Sequence, residues 1–226
     1  MKLYLVRHGV STGNILGSLL GQSDHPLRGD GEAQARAVAE VLAPLGPMPV
    51  YCSDLPRARQ TAERIAAAWP GIEVRPDRRL REIDLGEYEG RSWEELSDDE
   101  ALGAALEADP YNTALPGGES LALLKERVLA AVDEIVAAGP GESRRGGRAL
   151  AGGVLTGEAS GGAAVAVAHD GPIRTILNTC LGVPPQKWWT LSTSHGGLSL
   201  VEWTDGWVNV RFVNATSHLP APTAPG

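Results

Sequence analysis

The chain has 226 residues, 42% of them hydrophobic, with 20 Lys plus Arg set against 28 Asp plus Glu and a formal net charge of −8. That length and apolar content suit one domain of ordinary size and argue against wholesale disorder. An acidic chain lacks the electrostatic footprint of a general nucleic-acid binder, although net charge leaves room for a local basic pocket.

The chain has two cysteines, Cys52 and Cys180. They form no CxxC pair or Cys/His cluster, so neither structural zinc nor a secreted disulfide framework is expected. The apolar run at 3–6 is too short for the centre of a signal peptide, and no stretch approaches a membrane span. The expectation is a soluble, cytoplasmic protein with no membrane or nucleic-acid partner.

In chain order the elements alternate between strand and helix. Residues 3–6 predict a buried strand that opens into a loop at Arg7. Asp30 is placed to cap a helix over 30–42, with Ala33, Ala37, Val38, Val41 and Leu42 on its inner face. Residues 50–52 predict a second strand. Residues 55–68 predict a helix with Ala58, Ala62, Ile65 and Ala66 inward, stopped by Pro70-Gly71. A third strand is expected over 72–74 and a single helix over 93–108, with Gly103 its weak point. Residues 119–138 carry a helical stripe of Leu121, Leu124, Val128, Val132, Ile135 and Val136. Residues 139–162 are rich in Gly and Ala, hold Arg144, Arg145 and Arg148, and show no periodicity. They predict a flexible surface loop, a tolerated insertion more than a lid, inside a single domain spanning 1–226. A fourth strand over 163–168 and a helix over 172–181 follow. Residues 198–203 and 207–212 predict a hairpin across Thr204-Asp205-Gly206. The Pro-containing tail over 219–226 is expected to fray.

Two histidines stand directly after buried strands, His8 after 3–6 and His169 after 163–168. Ligands of open α/β sheets bind at the carboxyl ends of strands. His8 lies between Arg7 and Gly9, and a glycine there lets backbone amides approach an anion. Arg57 falls in the first turn of a helix, where the dipole disfavours a cation; a bound anion would account for it. One of Arg57 and Arg59 is expected to be a plain solvent-facing side chain.

Leu5-Val6-Arg7-His8-Gly9 resembles the signature of the histidine phosphatase superfamily, the phosphoglycerate mutase-like proteins. The resemblance continues in order through Asn14, Gly21-Gln22-Ser23-Asp24, Ser53-Asp54-Leu55 with Arg57-Ala58, and Leu80-Arg81-Glu82-Ile83-Asp84-Leu85-Gly86 with Glu89-Gly90. Pro116-Gly117-Gly118-Glu119-Ser120 with Arg127, and Val167-Ala168-His169, complete it. An R-H-G triplet alone is weak; ordered blocks over most of the chain are not.

The resemblance implies an α/β fold, a three-layer α/β/α sandwich whose sheet is mostly parallel with one antiparallel strand. It implies His8 as the nucleophile that takes a phosphoryl group, with Arg7, Arg57 and His169 holding its oxygens. Glu82 would serve as general acid and then as base. Asn14 would lie at the pocket rim, with Ser11, Gln22 and Asp170 near the substrate. Guanidinium groups match phosphate bidentately, and a histidine nucleophile divides one hard step into two. No metal and no cofactor are expected. The substrate would be a small phosphate monoester; self-association into a homodimer is left open. The rival functions are a cofactor-dependent phosphoglycerate mutase and a non-catalytic phosphate-binding module. Trp93, Tyr111 and Asn112 are candidate specificity contacts. Two departures stand out: Val10 follows R-H-G where the family has a polar residue, and Asp170 follows the second histidine. The Asp170 carboxylate would repel phosphate unless paired, with Arg174 as the candidate partner.

Overall fold

The computed structural model describes residues 1–15, 18–138, 162–204 and 206–221. Six strands form one mixed sheet in the order β3-β2-β4-β1-β5-β6. They are β1 (Lys2–Arg7), β2 (Val50–Cys52), β3 (Val74–Pro76), β4 (Ala163–Ala168), β5 (Leu198–Thr204) and β6 (Trp207–Ala215). β1 pairs parallel with β4, and β2 pairs parallel with β4 and with β3. β5 runs antiparallel to β1, and β6 antiparallel to β5. β5 is therefore the one strand that points against the rest, as the resemblance implies.

The layers follow from alternation along the central strands. Leu3 and Leu5 of β1, with Ala164, Ala166 and Ala168 of β4, pack on one face against α5 (Leu121–Ala137) and α6 (Asp170–Leu181). Tyr4 and Val6, with Val165 and Val167, pack on the other against α1 (Gly29–Leu42) and α2 (Pro56–Ala66). Successive side chains of a strand point to opposite faces, so an unbroken apolar run requires cover on both. A smaller cluster of Leu19, Leu85, Tyr88, Leu102 and Leu115 lies apart from these two cores.

Several element boundaries differ from the sequence reading. α1 is capped by Arg28, which makes no side-chain cap bond, and Asp30 lies within the first turn. Its inner face is Gly31, Ala35, Val38 and Leu42, while Val41 is exposed. The third strand lies two residues later than expected. It holds Pro76, which an edge strand tolerates because one side of its backbone lacks a partner. The span 93–108 is two helices, α3 (Trp93–Ser97) and α4 (Glu100–Ala108). The break falls at Asp98-Asp99 and not at Gly103, because the Asp99 carboxylate accepts the Leu102 N–H and starts a new helix. α5 begins after Ser120, whose hydroxyl caps Leu123 N–H. The fourth strand and the hairpin stand as expected. α6 begins two residues early, at Asp170, so His169 is its N-cap residue. Residues 139–161 of the expected loop over 139–162, and residues 222–226 of the expected frayed tail, lie outside the described residues. Among the described residues no helix is long and apolar enough to cross a membrane.

Candidate active site

β1 and β4 are neighbours and end together, Arg7 opposite Ala168. His8 N–H bonds Ala168 O at 3.0 Å, which brings the two strand-end histidines side by side. Their rings stand edge to face with centroids 4.9 Å apart. Both are buried.

The tautomer of His8 is fixed from two sides. Its Nδ1 lies 2.7 Å from Gly9 O, an acceptor only, so Nδ1 carries the proton. Arg57 Nε–H points to His8 Nε2 at 3.3 Å, and a guanidinium can only donate, so Nε2 carries the lone pair. Thr61 supports this geometry. Its hydroxyl oxygen accepts Gly9 N–H at 3.1 Å and its O–H donates to Arg57 O at 2.8 Å. Burial, with His169 and Arg57 adding to it, lowers the His8 pKa well below the ordinary imidazole value. Burial and the surrounding arginines do the same to His169.

Arg57 is buried despite its charge, whereas Arg59 is exposed and pairs with Glu63 one turn on. Beyond the His8 contact, Arg57 Nη1 donates to Ser23 O at 2.7 Å and Nη2 to Gly21 O at 2.6 Å. That loop is held in turn by Glu89, which accepts the N–H groups of Gly21, Gln22 and Ser23 and the Ser23 hydroxyl. Arg7 Nη1 donates to Thr193 O at 2.5 Å and lies 3.8 Å from Asp170 Oδ1.

Glu82 follows a 3₁₀ turn over Arg78–Leu80. Its Oε1 accepts the N–H groups of Ile83 at 2.9 Å and Gly171 at 3.0 Å. The second of these belongs to the first turn of α6. Burial raises the Glu82 pKa, Asp170 adds to the rise, and the two backbone donors and Arg7 oppose it. Arg81 turns away and grips Asp54 with two 2.7 Å bonds. Arg127 fixes the main chain beneath the acid. It donates to the carbonyls of Arg79, Arg81 and Glu82 at 2.7–2.9 Å while pairing with Glu119.

The remaining candidates divide. Asp170 is paired: Oδ2 accepts Arg174 Nη2 at 2.5 Å and Oδ1 accepts the Thr193 hydroxyl at 2.7 Å. Its charge is thereby committed, and the Arg174 guanidinium lies over the rings of both Trp188 and Trp189. Gln22 bonds Glu82 O and Arg81, beside the acid. Ser11 and Asn14 bond each other: Asn14 Oδ1 accepts both the N–H and the hydroxyl of Ser11. Among the described residues no hydrogen bond joins Ser11, Asn14 or Gln22 to His8, Arg57 or His169. Tyr111 lines a small cavity with Thr175, Asn178 and Trp188, and Asn112 bonds Asp109.

The sequence reading did not mark out His195, which stands before a strand and not after one. The structure brings its ring to 5.3 Å from that of His8. Arg7 Nε, both nitrogens of His169 and Nε2 of His195 are buried with no hydrogen-bond partner among the described residues. A buried polar atom left unpaired costs about 1–3 kcal/mol. Such nitrogens beside the His8 lone pair are groups that an oxyanion could satisfy.

Residues 3–216 match the family model described as the histidine phosphatase superfamily (branch 1). A protein of Salmonella paratyphi C named probable phosphoglycerate mutase GpmB is 33% identical, over 98% of this chain and 96% of its own. The structure of a mycobacterial glucosyl-3-phosphoglycerate phosphatase complexed with VO3 is 29% identical with a TM-score of 0.75, covering 95% of this chain and 98% of that one. YhfR of Bacillus stearothermophilus shares the fold at a TM-score of 0.81 and 24% identity, over 97% of this chain and 99% of its own. The motifs, the sheet order and the family match converge: this chain belongs to the histidine phosphatase superfamily.

Proposed function

We propose that the chain is a phosphoric monoester hydrolase that cleaves a small organic phosphate through a phosphohistidine at His8. The observation that carries this reading is the His8 tautomer. Nδ1 is spent on Gly9 O, and Nε2 holds its lone pair beside a set of unpartnered nitrogens. In the first step Nε2 attacks phosphorus, an N–P bond forms and the ester P–O bond breaks. The Glu82 carboxyl gives its proton to the departing oxygen. In the second step a water oxygen attacks phosphorus, Glu82 takes its proton, and the N–P bond breaks to return the lone pair to His8. Arg7, Arg57 and His169 hold the phosphoryl oxygens in line, which is most of what a loose phosphoryl transition state requires.

Arginines supply the positive charge, so the reaction is read as metal-independent. The free thiols Cys52 and Cys180 suit a reducing cytoplasm. The chain is read as one domain over 1–226, with Asn14, Ser11, Gln22 and Asp170 supporting the pocket and its substrate. A second reading rests on the 33% identity to a protein named a probable phosphoglycerate mutase. It would use the same residues and keep water from the phosphohistidine.

The test is hydrolysis of an aryl phosphate in excess chelator, wild type beside His8→Ala. Chelator-resistant phosphate release that disappears in the variant is expected. Release that survives in His8→Ala would overturn the mechanism. Interconversion of phosphoglycerates primed by bisphosphoglycerate, without aryl phosphate hydrolysis, would replace the hydrolase with the mutase.

A further inference from the structure

We propose that His195 is a further ligand of the transferring phosphoryl group, donating a hydrogen bond from Nε2 to one of its oxygens. The proposal rests on the phosphoryl-transfer reading above.

The position of His195 is built, not incidental. Gly196, in the left-handed region at φ 71°, hangs its N–H on the carbonyls of Arg7 at 3.0 Å and His8 at 3.2 Å. Gly197 O accepts Arg7 N–H at 3.2 Å. Ser194 N–H donates to Asn214 Oδ1 at 2.7 Å, and His218 Nε2 lies 3.0 Å from Gly196 O. Thr193, at the start of the same turn, bonds Asp170 through its hydroxyl and receives Arg7 through its carbonyl. The turn is thus tied to the backbone of the nucleophile and to the side chain of the first arginine.

Its chemistry fits the neighbouring groups. The His195 ring stands 5.3 Å from that of His8, and its Nε2 is buried without a partner, as are Arg7 Nε and both His169 nitrogens. Arg7 Nε–H can only donate, so an acceptor is the one group able to satisfy that part of the cluster. A phosphoryl group brings three oxygens at once. A preorganised donor aimed at developing charge in a water-excluded site is worth on the order of 10²–10³-fold in turnover.

The test uses orthovanadate binding by calorimetry and aryl phosphate turnover on wild type, His195→Ala, His195→Gln and His195→Asn, with thermal melting to confirm folding. A glutamine amide nitrogen reaches about where Nε2 lies, and an asparagine amide about where Nδ1 lies. The expected result is vanadate affinity and turnover down about 100-fold in His195→Ala, restored at least about tenfold by Gln and not by Asn. Vanadate affinity within about twofold of wild type in His195→Ala, or rescue by Asn equal to rescue by Gln, would overturn the proposal. Vanadate binding reads separately from turnover. A wild type that binds vanadate through His195 yet hydrolyses nothing would remove the hydrolase and keep the ligand. An active enzyme that depends on His8 and is indifferent to His195 would do the reverse.

Discussion

Glu82 sits where two effects compete. Backbone N–H groups of Ile83 and Gly171 favour its carboxylate, and burial opposes them and prevails. A raised pKa keeps the acid form available at higher pH, so transfer from an alkyl ester should slow as pH rises through that raised value. The acid side should lack the usual histidine inflection near 6.5, because burial holds His8 neutral below it. Glu82→Gln is expected to lower kcat for an alkyl phosphate about 10²–10⁴-fold. An aryl phosphate, whose leaving group needs no proton, should still give a rapid first release of phenol. Rapid quench would show it, and an equal first-turnover loss for both esters would contradict the acid role. The residues legible in the sequence were those with local punctuation: histidines after strands, and an arginine in a helical first turn. Glu82 alone would have passed for a loop carboxylate, and only the ordered blocks around it marked it out. His195 carried no such mark, since it precedes a strand instead of following one.

α6 joins the two halves of the chemistry. Its N-cap residue is His169, and its Gly171 N–H holds the Glu82 carboxylate. A Cβ on Gly171 would meet Glu82 Oε1 at 2.2 Å. Gly171→Ala is therefore expected to leave the helix intact and displace the acid, lowering kcat at least about tenfold with little change in melting temperature. Unchanged kcat would mean that Glu82 is not held there during turnover. Strand and helix existence was readable from periodicity, whereas boundaries were not. The 93–108 span reads as one helix on apolar spacing, but a short Asp side chain at 99 offers the backbone an alternative bond and divides it. The inner face of α1 falls on Gly31, Ala35, Val38 and Leu42, and a Cβ on Gly31 would meet the Val10 carbonyl.

Across the whole molecule, three imidazoles have lowered pKa values, those of buried His8 and His169 and that of half-buried His195, the last to about 3. Below pH 6.5 the unfolded chain binds protons at these sites and the folded chain does not. Each site then withdraws up to about 1.4 kcal/mol of stability per pH unit until its folded pKa is reached. Glu82 acts in the opposite sense, because its folded form binds a proton above 4.5 that the unfolded form has lost. Asp133, whose pKa burial also raises, adds to Glu82; three histidines set against these two carboxyls leave a net loss. The urea midpoint should fall as pH drops from 7 to 5, and a midpoint that is flat or rises would contradict the buried, neutral histidines.

The reversed direction of β5 has its own consequence. Parallel neighbours deliver their ends to the site, and an opposed neighbour delivers its beginning. The histidine turn thus reaches the nucleophile from 187 residues downstream, at the start of a strand whose far end points away from the site. That short approach, residues 193–197, holds the Arg7 guanidinium and the backbone of Arg7 and His8, so a change there reaches the phosphoryl-transfer apparatus directly.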